Sequence, residues 1–127
     1  MRLLADAYQA KGDYWTAMQW ARRAAAEAPG TREPWVKLAE LAYQQHDWLE
    51  CCSSCMKALS IKDKAAVYTM DPSVWTEKPH DYLSIAAYKL GRKDEAIEHC
   101  QKALEFSPSD ERLLKNLASM QLSISSD

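Results

Sequence analysis

The chain matches itself at an interval of 34 residues. Gly12-Asp13-Tyr14 falls on His46-Asp47-Trp48, Ala17 on Cys51, Ala21 on Cys55 and Ala24 on Ala58. A third copy, Gly91, Ala96, Cys100, Ala103 and Pro108, follows the second at an offset of 45, which is 34 with 11 inserted. A unit this short cannot bury its own apolar face. It has to stack on neighbours of the same kind, so a fixed period of this length predicts an array of supersecondary units. It also turns the functional expectation toward recognition and away from catalysis.

Composition narrows the classes further. At 127 residues the chain is one domain or part of a longer protein. Hydrophobic residues at 47% and charged residues at 27% exclude wholesale disorder. The net charge is −2, and no basic stripe exists to neutralise a run of phosphates, so nucleic acid is not an expected partner. No apolar run approaches the roughly 18 residues of a membrane span. Asp6 interrupts the only N-terminal apolar stretch, so a signal peptide is not expected. Arg2 to Tyr8 reads as the middle of a helix, which predicts that the natural chain begins earlier. Three of the four cysteines, Cys51, Cys52 and Cys55, fall within five residues. That placement opposes a disulfide framework and points to reduced thiols in a cytoplasmic setting.

Local signals place seven helices. The first covers Arg2–Ala10 and stops at Gly12; Asp13 caps the second, Tyr14–Ala28. Thr31 is the N-cap candidate for a third, with Pro34 in its first turn and its end near Gln45. Asp47 with Glu50 three residues on reads as a capping box opening a fourth helix that reaches Ile61. Pro79 opens the fifth, which ends near Leu90-Gly91; Asp94–Phe106 forms the sixth and Glu111–Leu122 the seventh. Residues 123–127 are expected to fray. The repeats are bounded at 1–30, 31–63 and 79–110, with an insertion at 64–78 and a capping helix at 111–122. Val67, Tyr68, Val74 and Trp75 make that insertion too apolar for a flexible linker, so it is expected to be ordered and packed on the helices.

The apolar spacing suits antiparallel helix pairs. Leu4, Ala7 and Tyr8 share one face, and Ala17, Ala21, Ala24 and Ala28 form a seam that admits a close neighbour. The expected fold is an all-α, right-handed α-solenoid of three helical hairpins plus a C-terminal capping helix, with an ordered insertion before the third hairpin.

These residues resemble the tetratricopeptide repeat (TPR) family. Its pattern of W-x2-L-G-x2-Y, A-x3-F, A and P is carried by Trp35, Leu38, Ala39, Ala42-Tyr43, Cys51, Cys55 and Ala58 in the second copy. The first copy supplies Leu4, Ala5, Tyr8, Gly12, Ala17, Ala21, Ala24 and Pro29. The third supplies Leu83, Ser84, Ala87-Tyr88, Gly91, Ala96, Cys100, Ala103 and Pro108. His80 departs from the expected Trp, and Asp63 stands where the second copy should carry its closing proline. The stretch Tyr68-x2-Asp71-Pro72-x2-Trp75-x3-Pro79-x-Asp81-Tyr82-Leu83 also resembles the repeat region attached to some inverting family-two glycosyltransferases. That resemblance implies an association with sugar transfer without catalysis, since the aspartate-rich metal motif of those catalytic domains is missing from the sequence.

Candidate chemistry is sparse. Cys52-Ser53-Ser54-Cys55 is a C-x-x-C, but it falls mid-helix, away from the N-terminal dipole that would lower a thiol pKa. Core cysteine is the simpler reading; a metal or redox role would need further ligands, with His99-Cys100 the nearest supply. His46 stands at a turn glycine position, and His80-Asp81 at a helix start, where capping and dipole explain them. No nucleophile–base set, phosphate loop, metal site or cofactor motif is expected, so the chain does not read as an enzyme.

The TPR resemblance implies a concave groove lined by the first helix of each repeat. Its inward residues are Asp6, Gln9, Lys37, Glu40, Tyr43, Gln44, Tyr82, Ile85, Tyr88 and Lys89, with Trp75 at one edge. Rings and amides among charges suit an extended peptide; Tyr43 and Tyr88 alternatively fill the space between repeats. The branch of the family that grips a C-terminal carboxylate does so with Lys, Asn and Arg. Asp6 and Glu40 stand where such donors are wanted, which makes an acidic tail a poor ligand. The expected function is a protein–protein interaction scaffold that binds a peptide or partner domain, or self-associates through the exposed Trp15 and Trp20 hairpin. The alternatives are an accessory segment of a glycosyltransferase and a cysteine-based metal or redox protein.

Overall fold

The computed structural model describes residues 2–28, 30–62 and 72–126. Among these residues are seven α-helices: α1 Arg2–Ala10, α2 Tyr14–Glu27, α3 Glu33–Gln44, α4 Trp48–Ser60, α5 Glu77–Lys89, α6 Lys93–Phe106 and α7 Glu111–Ser126. A 3-10 turn spans Pro72–Trp75, and no strand occurs among the described residues. Each helix packs on the next in chain order, and α3 also meets α5. The odd-numbered helices therefore form an inner layer and α2, α4 and α6 an outer one, as in a solenoid.

The period is written into the turns. Gly12 and Gly91 have φ of +82° and +83°, and His46, at the same place in the second copy, has φ of +59°. The residue after each donates its amide five residues back: Asp13 to the Tyr8 carbonyl at 2.9 Å, Asp47 to Ala42 at 2.9 Å and Arg92 to Ala87 at 2.8 Å. This is the Schellman closure, which needs a left-handed residue at the bend. Asp13 and Asp47 then accept from the Thr16 and Glu50 amides, both at 3.2 Å, and so open α2 and α4.

Buried small residues let the layers close. Ala17, Ala21, Cys51, Cys55, Ala96 and Cys100 are at most 2% exposed. Leu38 and Leu41 of α3 fill the space against Ala17 and Ala21. Leu83, Leu113 and Met120 close the C-terminal end of the main cluster. Ser84 is buried there without penalty, because its hydroxyl donates to the Ala96 carbonyl at 2.9 Å.

Several local expectations are corrected. The α2 seam runs Ala17, Ala21, Ala25; Ala24 is half-buried and Ala28 exposed. Ala24 lies about 100° around the helix from Ala25, and Ala28 is the C-cap, beyond the last helical residue Glu27. On α1 the buried residue is Ala5, while Leu4 and Ala7 are exposed. Thr31 does not cap α3. Its hydroxyl donates to the Ala28 carbonyl at 2.8 Å, and α3 starts after Arg32 with no side-chain cap. Glu50 does not complete a capping box; its carboxylate meets Arg22 of α2 at 3.2 Å. The α5 helix opens at Glu77, ahead of Pro79, which is tolerated in a first turn. Helix α7 continues to Ser126 where fraying was expected.

The insertion is described only from Pro72 onward; Val67 and Tyr68 lie outside the described residues. Its described part is packed. Val74 is 2% exposed and clusters with Val36 and Ala58. Arg32 ties it down by donating to the Ile61 carbonyl at 2.8 Å and the Val74 carbonyl at 3.2 Å.

The turn geometry gives two predictions of opposite sign. Replacing His46→Gly relieves a left-handed backbone and raises stability by about 0.5–1 kcal/mol. Gly91→Ala meets no neighbour within 4 Å, so its cost is conformational only, about 1 kcal/mol. Urea unfolding midpoints measure both.

Candidate functional site

The inner layer presents one continuous surface with two unlike halves. At the α1–α3 end the polar side chains satisfy one another. Lys37 Nζ lies 2.6 Å from Asp6 and 2.8 Å from Glu40 and also donates to the Gln9 side-chain carbonyl. Gln9 Nε2 donates to Glu40 at 3.0 Å and to Gln44 at 2.8 Å. Burial alone would raise the Glu40 pKa, but the bonds from Lys37 and Gln9 bring it below its usual value. Burial alone would lower the Lys37 pKa, and the bonds to Asp6 and Glu40 raise it. Lys37 is thus already enclosed by two carboxylates.

The α3–α5–α7 half is open. Two adjoining cavities of about 320 and 380 Å³ share Tyr43, Ile85 and Arg112. Tyr88, Lys89, Asn116, Ser119 and Met120 complete the first. The second takes in Tyr82, Asp81, Ser73, Glu77, Lys78 and Asp110. The rings are fixed from behind: Tyr43 meets Trp48 edge-on at 5.5 Å and Tyr82 at 5.4 Å. Tyr82 donates to Glu40 at 3.4 Å, which links the two halves, and burial followed by that carboxylate raises its pKa. Tyr43 and Tyr88 thus both pack against the core cluster and line the opening.

Of the sequence-derived groove residues, the structure gathers Asp6, Gln9, Lys37, Glu40 and Gln44 into the polar network, and Tyr43, Tyr82, Ile85, Tyr88 and Lys89 around the cavities. Trp75 is placed differently. Arg32 lies 4.4 Å over its ring and it packs beside Val36, Ala58 and Val74, while Ser73 and Glu77 line the cavity. Sequence reasoning missed α7 by treating it only as a cap. Moving Lys78, Tyr82 and Ile85 by one more 34-residue step gives Arg112, Asn116 and Ser119, the residues that α7 supplies. Arg112 is held there by donating to Asp81 at 3.1 Å and through a second nitrogen to the other carboxylate oxygen.

His80 and Asp81 were expected to serve the start of a helix. Asp81 instead binds Arg112, and His80 Nδ1 lies 3.0 Å from His99 Nδ1 of α6, under Phe106. The imidazole centroids are 5.2 Å apart with planes 20° from parallel, and the two Nδ1 atoms lie within hydrogen-bonding distance of one another. The cysteines sit in the core. Cys51 and Cys100 point at the Tyr82 and Leu113 carbonyls, at 3.8 and 3.4 Å. Burial, then Cys51, pushes the Cys52 thiol up to about 11, and contact with Cys51, then burial, pushes Cys55 up as well. A redox thiol requires the opposite shift. Among the described residues no group of three or more His, Cys, Asp or Glu converges on a metal position, and no helix is long and apolar enough to cross a membrane.

The comparisons with known proteins fit this geometry. The family model described as tetratricopeptide repeat matches residues 78–110, which hold α5, α6 and the turn after them. The chain carries a tetratricopeptide repeat. Its whole fold is that of TPR domains of known structure. The first TPR of Spaghetti (RPAP3), solved bound to an HSP90 peptide SRMEEVD, superposes with a TM-score of 0.83 at 15% identity, covering 98% of this chain and 90% of that one. The first TPR domain of human RPAP3 gives 0.80 at 16%, covering 98% and 90%. MamA gives 0.82 at 17%, covering 95% of this chain and 64% of that one. No curated protein matches the sequence.

The histidine pair predicts acid sensitivity. Burial, then His99 and Lys102, pushes the His80 pKa down to about 4, and burial followed by Lys102 lowers His99. Both lie below the free value of about 6.5. The neutral pair therefore stabilises the TPR fold above that pH, and the contribution is lost as pH falls from about 6.5 toward 4. The melting temperature of the natural chain should fall over this window, and a His80→Phe/His99→Leu variant should show a shallower fall by calorimetry.

Proposed function

We propose that this chain is a non-catalytic recognition module that holds an extended segment of a partner protein in the α3–α5–α7 half of its concave groove. The observation that carries this reading is the pair of open cavities walled by Tyr43, Tyr82, Ile85 and Tyr88 and edged by Lys89, Arg112 and Asn116. Rings fixed from behind offer contact area with few rotors to freeze, and amide and guanidinium groups pair with a peptide backbone. Solved TPR neighbours support the mode: one holds the HSP90 peptide SRMEEVD and another, the second TPR domain of human RPAP3, the HSP70 peptide SGPTIEEVD. Here Lys37 is enclosed by Asp6 and Glu40, which favours the α5–α7 end over the α1–α3 end. The repeat bounds of 1–30, 31–63 and 79–110 follow the same reading, with α7 adding a fourth inner helix.

A display selection of random peptides tests it. Selected peptides should bind the protein and lose about tenfold or more in affinity against Tyr88→Ala or Ile85→Ser, by calorimetric titration. Lys37→Met should change affinity little. Peptides whose affinity is unaffected by Tyr88→Ala and Ile85→Ser would defeat the reading.

Self-association through the first hairpin has its own support. Trp15 is 73% exposed, whereas Trp20 is half-buried beneath Arg23. Trp15→Ser should lower the weight-average mass in sedimentation at high concentration; a wild-type chain that stays monomeric there would refute it. The link to glycosyltransferases draws on sequence resemblance alone.

A further inference from the structure

The outer layer carries a second apolar feature, away from the concave groove. Leu49 and Met56 lie seven residues apart on α4, on one face, and are 65% and 59% exposed. Between them Cys52 and Ser53 floor an open trough of about 400 Å³, and the two charged side chains that line it, Lys57 and Arg92, are both cationic. The neighbouring Glu50 is engaged by Arg22. Packing of the array does not account for these apolar residues. The position of Met56 is held by exposed Arg22 in the first copy and exposed Gln101 in the third; that of Leu49 is held by exposed Trp15 in the first and exposed Asp94 in the third. The array stacks equally well with polar side chains there.

We propose that this trough docks an amphipathic helix of a partner protein, whose apolar stripe covers Leu49 and Met56 and whose carboxylates meet Lys57 and Arg92. The spacing argues for a helix. Leu49 and Met56 are separated by about 10.5 Å along α4, the rise of two helical turns, which matches apolar residues at i, i+3 or i+4, and i+7 on an incoming helix. The two cations select acidic flanks over basic ones. The inference stands apart from the concave groove, so either can fail alone.

The test uses a synthetic amphipathic helix of about five turns, with leucines at i, i+3 and i+7 and glutamates flanking them, and a twin with lysines in place of the glutamates. Methionine methyl groups of the full chain are 13C-labelled and the Met56 signal is followed on titration. The glutamate peptide should move the Met56 methyl and bind about tenfold or more tightly than its lysine twin. Lys57→Glu/Arg92→Glu should reverse that order, Leu49→Glu should abolish the shift, and Tyr88→Ala should leave it unchanged. Circular dichroism checks that each variant is folded, and reversed selectivity in the charge variant cannot arise from unfolding. An unmoved Met56 methyl, equal binding of the two peptides, or a Met56 shift driven by the protein's own concentration, as a second copy would give, overturns the proposal.

Discussion

Close approach between helices at recurring small side chains is what the array depends on. Ala17, Ala21, Cys51, Cys55, Ala96 and Cys100 are almost wholly buried, and a larger residue at any of them would force neighbouring helices apart. Cysteine fits this place as a small apolar side chain with a weak donor. Cys51 reaches from α4 to the Tyr82 carbonyl of α5, and Cys100 from α6 to the Leu113 carbonyl of α7. Both cysteines thus bridge an outer helix to the next inner one. Burial in that packing role raises the Cys100 thiol pKa.

Close packing of the outer helices throws the inner helices into one curved row, and the groove is the face that row leaves open. Its two halves differ because their side chains find partners in different ways. Around Lys37 every charge is met within the chain, by Asp6 and Glu40 with Gln9 between them. Around Ile85 the walls are aromatic and the polar groups stand at the rim. Desolvating the first half on binding would break existing bonds, whereas covering the second half mainly removes apolar surface from water. On the proposed reading, this asymmetry favours ligand contact at the C-terminal end of the surface.

Departures from the repeat pattern fall where the chain adds something of its own. His46 takes a left-handed turn position that glycine holds elsewhere, and stacks on Trp48 at 5.2 Å. His80 replaces an expected tryptophan and finds His99 across the hairpin. The Pro72–Trp75 turn leans on Arg32, whose side chain serves two carbonyls and a ring. Apolar Leu49 and Met56 interrupt an outer surface that is polar at most equivalent positions. In each case the substituted residue has a contact or an exposure that the period alone does not call for.

The sequence by itself determined the helices, their order and their pairing, because a 34-residue period, turn glycines and Asp caps act through short-range geometry. It also located most of the groove-facing residues, since 3.6-residue periodicity fixes which side chains share a face. It did not reveal that Lys37 is enclosed, that Arg112 and Asn116 complete the groove, or that Trp75 belongs to Arg32. It also extended the α2 seam from Ala17 and Ala21 to Ala24 and Ala28, where the structure buries Ala25. Those facts depend on residues 28 to 43 positions apart along the chain meeting across stacked helices. Only the tertiary arrangement decides such contacts, because helix rotation and spacing are set by the packing of all neighbours at once and by no single segment.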